Sequence, residues 1–108
     1  MKRFEVLLTE DAVRDLEELV AFLEATDCAA AADRVLERID ALVTSLSENP
    51  ERGVVVGELA ALGVREYREL FFKPYRLIYR VFEARVVVFL VVDGRRDMRT
   101  LLQERLLR

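Results

Sequence analysis

Histidine is absent from this 108-residue chain. That excludes Ser–His and Cys–His nucleophilic machinery and removes the commonest general base. Any chemistry would fall to carboxylates or arginines. Cysteine is nearly absent too. Cys28 has no partner for an internal disulfide, and one thiol without a histidine makes a poor metal site. Cys28 therefore reads as a small structural residue near a helix start, and no metal or cofactor is expected. Long apolar runs are missing. The longest, residues 86–92, is far too short to span a bilayer. Glu5 and the acids from Glu10 onward break up any signal-peptide core, so a cytosolic protein without membrane association is expected. Only two prolines and four glycines punctuate the sequence, and no linker, repeat or low-complexity segment divides it. One domain over residues 1–108 follows.

What is present is a globular mixture, 53% hydrophobic and 34% charged. The charge is unevenly placed. Residues 1–54 carry six cationic and 13 acidic side chains, whereas residues 55–108 carry 11 and seven. An arginine-rich second half facing an anionic partner is one reading, and internal ion pairs with solvated strand edges are the other.

Hydrophobic periodicity sets the expected elements. Residues 4–8 read as a strand and Thr9 as a helix N-cap, with Glu10 and Asp11 suiting the positive end of the helix dipole. Ala12, Leu16, Leu19, Val20 and Leu23 form one stripe. Asp27 is expected to cap a second helix striped by Val35, Ile39, Leu42, Val43 and Leu46, which stops near Glu48 because Pro50 disfavours helix at Asn49. The short break makes the pair an antiparallel hairpin. Residues 49–63 read as a loop with a short helical turn near 58–62. Strands are expected at 64–70, 76–82 and 86–92, the last apolar on both faces and so central in its sheet. Asp97 is expected to cap a final helix with Met98, Leu101, Leu102 and Leu106 inward. The class is α+β: an N-terminal strand, an antiparallel helical hairpin, a three-stranded antiparallel meander completing one sheet, and a short C-terminal helix.

On the strand 76–82, Tyr75 and Tyr79 should face the core while Arg76 and Arg80 project to the other side. The arginines then either pair with Glu66, Glu69 or a terminal carboxylate, or contact a partner. Arg95, Arg96 and Arg99 cluster beside Gly94 as a solvated turn or as a basic patch. Phe71 and Phe72 are hard to bury together and are candidates for a partner contact.

Several segments, in order and across nearly the whole chain, resemble the ParE/RelE toxin superfamily. They are Val6-Leu7-Leu8-Thr9-Glu10-Asp11-Ala12-Val13-Arg14-Asp15-Leu16, Asn49-Pro50-Glu51-Arg52-Gly53, Val64-Arg65-Glu66-Tyr67-Arg68, Pro74-Tyr75-Arg76-Leu77-Ile78-Tyr79-Arg80-Val81, and Val91-Val92-Asp93-Gly94-Arg95-Arg96-Asp97. The resemblance implies the toxin of a type II toxin–antitoxin operon. Its partner would be a ParD-like antitoxin that wraps the toxin and itself binds operator DNA, so that this chain would meet the operator only indirectly. Relatives of the ParE branch block DNA gyrase by binding it, and RelE-like relatives cleave messenger RNA on the ribosome. For the second activity the resemblance would make Arg76 and Arg96 the cations at the phosphate. Tyr67 and Glu69 stand where that branch often has lysines, Leu102 falls near its C-terminal tyrosine or histidine, and Asp93 stands where many relatives have histidine. The ParE side is therefore favoured, with no catalytic residue of its own. Arg65, Phe71, Phe72, Arg76, Arg80, Arg95, Arg96 and Arg99 are the residues expected to meet antitoxin or target.

Overall fold

A computed structural model of the chain describes residues 3–107. The elements follow in order: β1 (Glu5–Leu8), α1 (Glu10–Thr26), α2 (Ala29–Ser45), β2 (Val54–Val55), α3 (Gly57–Ala60), β3 (Tyr67–Phe72), β4 (Tyr75–Phe82), β5 (Arg85–Asp93) and α4 (Met98–Leu106). Thr9 caps α1 as expected, its hydroxyl accepting the Ala12 N–H at 3.0 Å. Asp27 does not cap α2. It ends α1, donating its own N–H to the Leu23 carbonyl, and exposed Cys28 takes the N-cap position without a side-chain hydrogen bond. Asp97 caps α4 and accepts from the Thr100 N–H.

The five strands lie in the order β1-β5-β4-β3-β2. The meander β3–β4–β5 is antiparallel, and β1 joins β5 in parallel. Strand β5 is therefore interior, as its apolar run requires. Strand β2, only two residues long, adds an edge beside β3 that the sequence pattern did not signal. It is too short to show any alternation.

Helices pack on both faces of the sheet. The hairpin α1–α2 packs Ala12, Ile39 and Leu46 against Leu70, Leu77, Tyr79, Val86, Val88 and Val91. On the opposite face α3 and α4 bring Val56, Leu59, Met98 and Leu102 onto Tyr67, Ile78, Leu90 and Val92. A bulge makes this division possible. The register passes from Ile78↔Leu90 to Tyr79↔Val88, so Phe89 is an extra residue in β5. The bulge reverses the alternation, sending Val86 and Val88 to the hairpin and Leu90 to α4. Gly53 closes the motif after α2. Its N–H donates to the Tyr79 hydroxyl at 2.9 Å, and a Cβ there would lie 2.6 Å from that oxygen. Among the described residues, no helix is long and apolar enough to cross a membrane.

Candidate functional site

Strand β1 is shorter than β5 and pairs only with residues 85–88. Beyond Val88 the β5 edge would stand open, and side chains close it. Asp15 of α1 accepts the Val91 N–H at 3.1 Å. Arg105 of α4 donates to the Phe89 carbonyl at 2.8 Å and grips both Asp15 oxygens at 3.2 and 3.0 Å. A helix from each face of the sheet is thus tied to the other around the strand edge. Unpaired strand edges invite association, and this clasp blunts one.

Past the clasp, a groove of about 600 Å³ opens between α1 and the end of β5. Leu19, Phe22, Leu23 and Val91 form its apolar floor and wall, and Phe22 is 62% exposed. Tyr75, Asp93, Arg95 and Arg96 make its polar rim opposite Glu18. Arg95 is engaged with Asp93 through hydrogen bonds of 3.0 and 2.6 Å. That pairing holds the Asp93 carboxyl below the usual carboxylate range. Burial, and then the Asp93 charge, push the Tyr75 phenol above its ordinary value, so it stays protonated and can donate. Arg96 is exposed and has no ion-pair partner among the described residues.

Arg76 lies elsewhere. Its stem runs beneath Gly94, where a Cβ would come within 2.7 Å of the Arg76 side chain. Its guanidinium turns to the α3 face. It meets both oxygens of Glu58 at 2.8 Å and, through Nε, Glu69 at 2.6 Å. Glu69 is only 4% exposed, and burial raises its carboxyl above the ordinary value despite the arginine. The hydrogen bonds from Arg76 lower Glu58 instead, and the two carboxylates raise Arg76 further. Three of the five N–H donors of this cation are spent on internal acids, the Nε donor and one on each terminal nitrogen.

The structure brings Arg95 and Arg96 together and leaves the other expected contact residues dispersed. Arg99 is exposed in the first turn of α4. Arg65 is exposed before β3, its N–H bonded to Glu66. Arg80 lies over the rings of Tyr67 and Phe82, at 5.7 and 4.5 Å. Phe71 and Phe72 face opposite ways. Phe72 packs toward the hairpin core beneath Arg38, and Phe71 is 52% exposed on the other side. Asp15 and Arg105 escaped the sequence reading, although a signal existed. Each is a charged residue set on its helix's apolar stripe, and opposite charges on two such stripes can meet. Among the described residues no group of three or more carboxylates and cysteines is placed to hold a metal ion.

Comparison with known proteins gives a consistent picture. The profile of a family described as "ParE toxin of type II toxin-antitoxin system, parDE" matches residues 6–98. The chain is similar to a solved structure of a chromosomal ParDE system from P. aeruginosa, at 16% identity and a TM-score of 0.70, over 84% of this chain and 96% of that one. It is also similar to a chain of the RelBE2 toxin–antitoxin complex from Mycobacterium tuberculosis, at 26% identity and 0.63, covering 86% and 93%. A mutant of the E. coli toxin RelE in its free state matches at 17% identity and 0.59, covering 94% and 93%. No curated protein sequence matches significantly.

Proposed function

This chain belongs to the family of ParE toxins of type II toxin–antitoxin systems, and from that premise we propose that it acts by binding DNA gyrase, without a catalytic site of its own. One observation carries the reading. Cleavage of RNA would need a cation free to hold a phosphate, and Arg76, the best candidate, is held by Glu58 and Glu69. A phosphate would have to compete with Glu58, which takes two hydrogen bonds from Arg76, and the buried Glu69 beside it would repel it. The missing histidine and the placing of Arg96 at the groove on the hairpin side of the sheet support the same reading.

The partner that silences it is a cognate antitoxin of ParD type. The groove beside α1 suits such a partner, because it offers apolar side chains inside a rim bearing both signs of charge. Arg96 is the rim cation left for an antitoxin carboxylate.

The test is expression of the chain alone in a sensitive bacterium, with thymidine and methionine incorporation followed together. DNA synthesis should stop first, and the purified chain should inhibit supercoiling by purified gyrase. Early arrest of methionine incorporation, with messenger RNA cut at ribosomes and gyrase unaffected, would replace this reading with ribosome-dependent RNA cleavage.

A further inference from the structure

On the α3–α4 face the helices cover only one end of the sheet. Their core comprises Val56, Leu59, Tyr67, Ile78, Leu90, Val92, Met98 and Leu102. At the other end the register aligns Leu7 of β1, Val87 of β5 and Arg80 of β4 in one row across the strands. Val6 and Leu8 pack toward the hairpin, so Leu7 points to this face, as Val87 and Arg80 do. Phe82 stands beside Arg80 on the same face, its ring under the guanidinium. Leu7 is 39% and Phe82 38% exposed, Val87 is half-buried, and none of the three belongs to either core. An apolar strip lies here with a cation at its centre.

The cation has no acid. Among the described residues Arg80 makes no ion pair, although its stem is half-buried and its head is fixed by two rings. The neighbouring strand arginines on this face are already satisfied, Arg85 by Glu5 at 3.4 Å and Arg76 by Glu58 and Glu69. A fixed, partly desolvated guanidinium among apolar side chains favours a carboxylate brought from outside. Nucleic acid fits less well, because its affinity comes from several phosphates at once and this strip leaves one free strand arginine.

We infer that this strip, distinct from the groove beside α1, seats an acidic amphipathic helix of a protein partner, with a carboxylate on Arg80 and apolar side chains on Leu7, Val87 and Phe82. The dimensions suit a helix. From Leu7 to Arg80 are two strand spacings, about 10 Å, close to the width of one helix, about 10–12 Å with side chains. The fold already uses the same solution, since α3 and α4 cover the adjoining end of this face. The inference goes beyond the gyrase reading and does not depend on it.

The test is NMR titration of the isotope-labelled chain with a synthetic helical peptide about four turns long, carrying leucines at helical spacing flanked by glutamates. Signals of the Arg80 side-chain N–H, Leu7, Phe82 and Val87 should shift. Arg80→Glu should weaken binding at least about tenfold, and Arg80→Gln, which keeps the stem between the rings, should weaken it without disturbing the fold. The lysine counterpart of the peptide should not bind. Absence of shifts, or shifts confined to the groove around Phe22, would overturn the inference. So would equal binding of the acidic and basic peptides. Preferential binding of single-stranded oligothymidylate to the strip would assign it to nucleic acid. Concentration-dependent shifts without peptide would assign it to a second copy of the chain.

Discussion

Glu69 shows how much one buried carboxylate depends on its surroundings. Arg76 compensates its desolvation, and Glu58 shares that arginine from the more exposed side. Removing one member of such a set leaves an unpaired buried charge, which costs about 3–5 kcal/mol. Arg76→Ala is therefore expected to lower stability by that order in urea unfolding. Glu69→Gln removes the charge and keeps the shape, so it should cost far less. The pH dependence supplies a second check. The folded Glu69 carboxyl lies above its ordinary value of 4.5, so between that value and its folded pKa the folded state binds more protons than the unfolded state. Its contribution to stability is fully present below 4.5 and declines as pH rises through that window. Glu58, which is lowered, acts in the opposite sense, its contribution being lost as pH falls through its folded value. In Glu69→Gln the decline from 4.5 upward should disappear while the acid-side loss remains. If the two pH profiles superimpose, Glu69 does not titrate as described.

At the scale of elements, the contact between α1 and α4 rests on a few polar atoms. Asp15 satisfies the Val91 N–H and Arg105 together, and Arg105 satisfies the Phe89 carbonyl. With 8% of its side chain exposed, Asp15 cannot be removed without stranding its partners. Asp15→Ala should cost about 3 kcal/mol or more. It should also speed hydrogen exchange in α4 and at Val91 more than in α2, because the clasp and not the hairpin is broken. Uniform acceleration along the whole chain would mean that α4 is not a separately opening unit. Thr9 makes a smaller contribution, since its cap is worth about 1 kcal/mol. Thr9→Ala should fall near that figure in the same unfolding measurement.

At the scale of the molecule, stability and binding are divided between different surfaces. The core lies in two clusters on either side of the sheet, and Phe22 belongs to neither. Phe22→Ser should thus leave unfolding stability within about 0.5 kcal/mol. The same change should weaken capture of its antitoxin, measured by calorimetry. Unchanged affinity would place the antitoxin elsewhere than the groove. The acidic side chains of residues 1–54 lie largely on the hairpin, whereas the cations of residues 55–108 divide between paired ones such as Arg76 and Arg105 and ones without an ion pair among the described residues, such as Arg80 and Arg96. Internal pairing, one of the two readings of the charge asymmetry, accounts for Arg76 and Arg105.

The sequence by itself determined what depends on local spacing. Stripes at helical period specified α1, α2 and α4, the apolar run 86–92 specified an interior strand, and the alternation through 75–80 placed the tyrosines on one face and the arginines on the other. Pro74, Tyr75 and Arg76 stood among the residues that carried the family resemblance. Only the tertiary structure decided which charges meet. Glu58, Glu69 and Arg76 come from α3, β3 and β4, and Asp15 and Arg105 are 90 residues apart. It also decided that β1 lies parallel to β5 and stops short, leaving one strand edge to be closed by side chains and one end of a sheet face without a helix. Periodicity records which side of an element is apolar, because each residue's burial shows in its own chemistry. It holds no record of which partner fills the space opposite, because that depends on long-range register, and register is set by the packing of the whole chain.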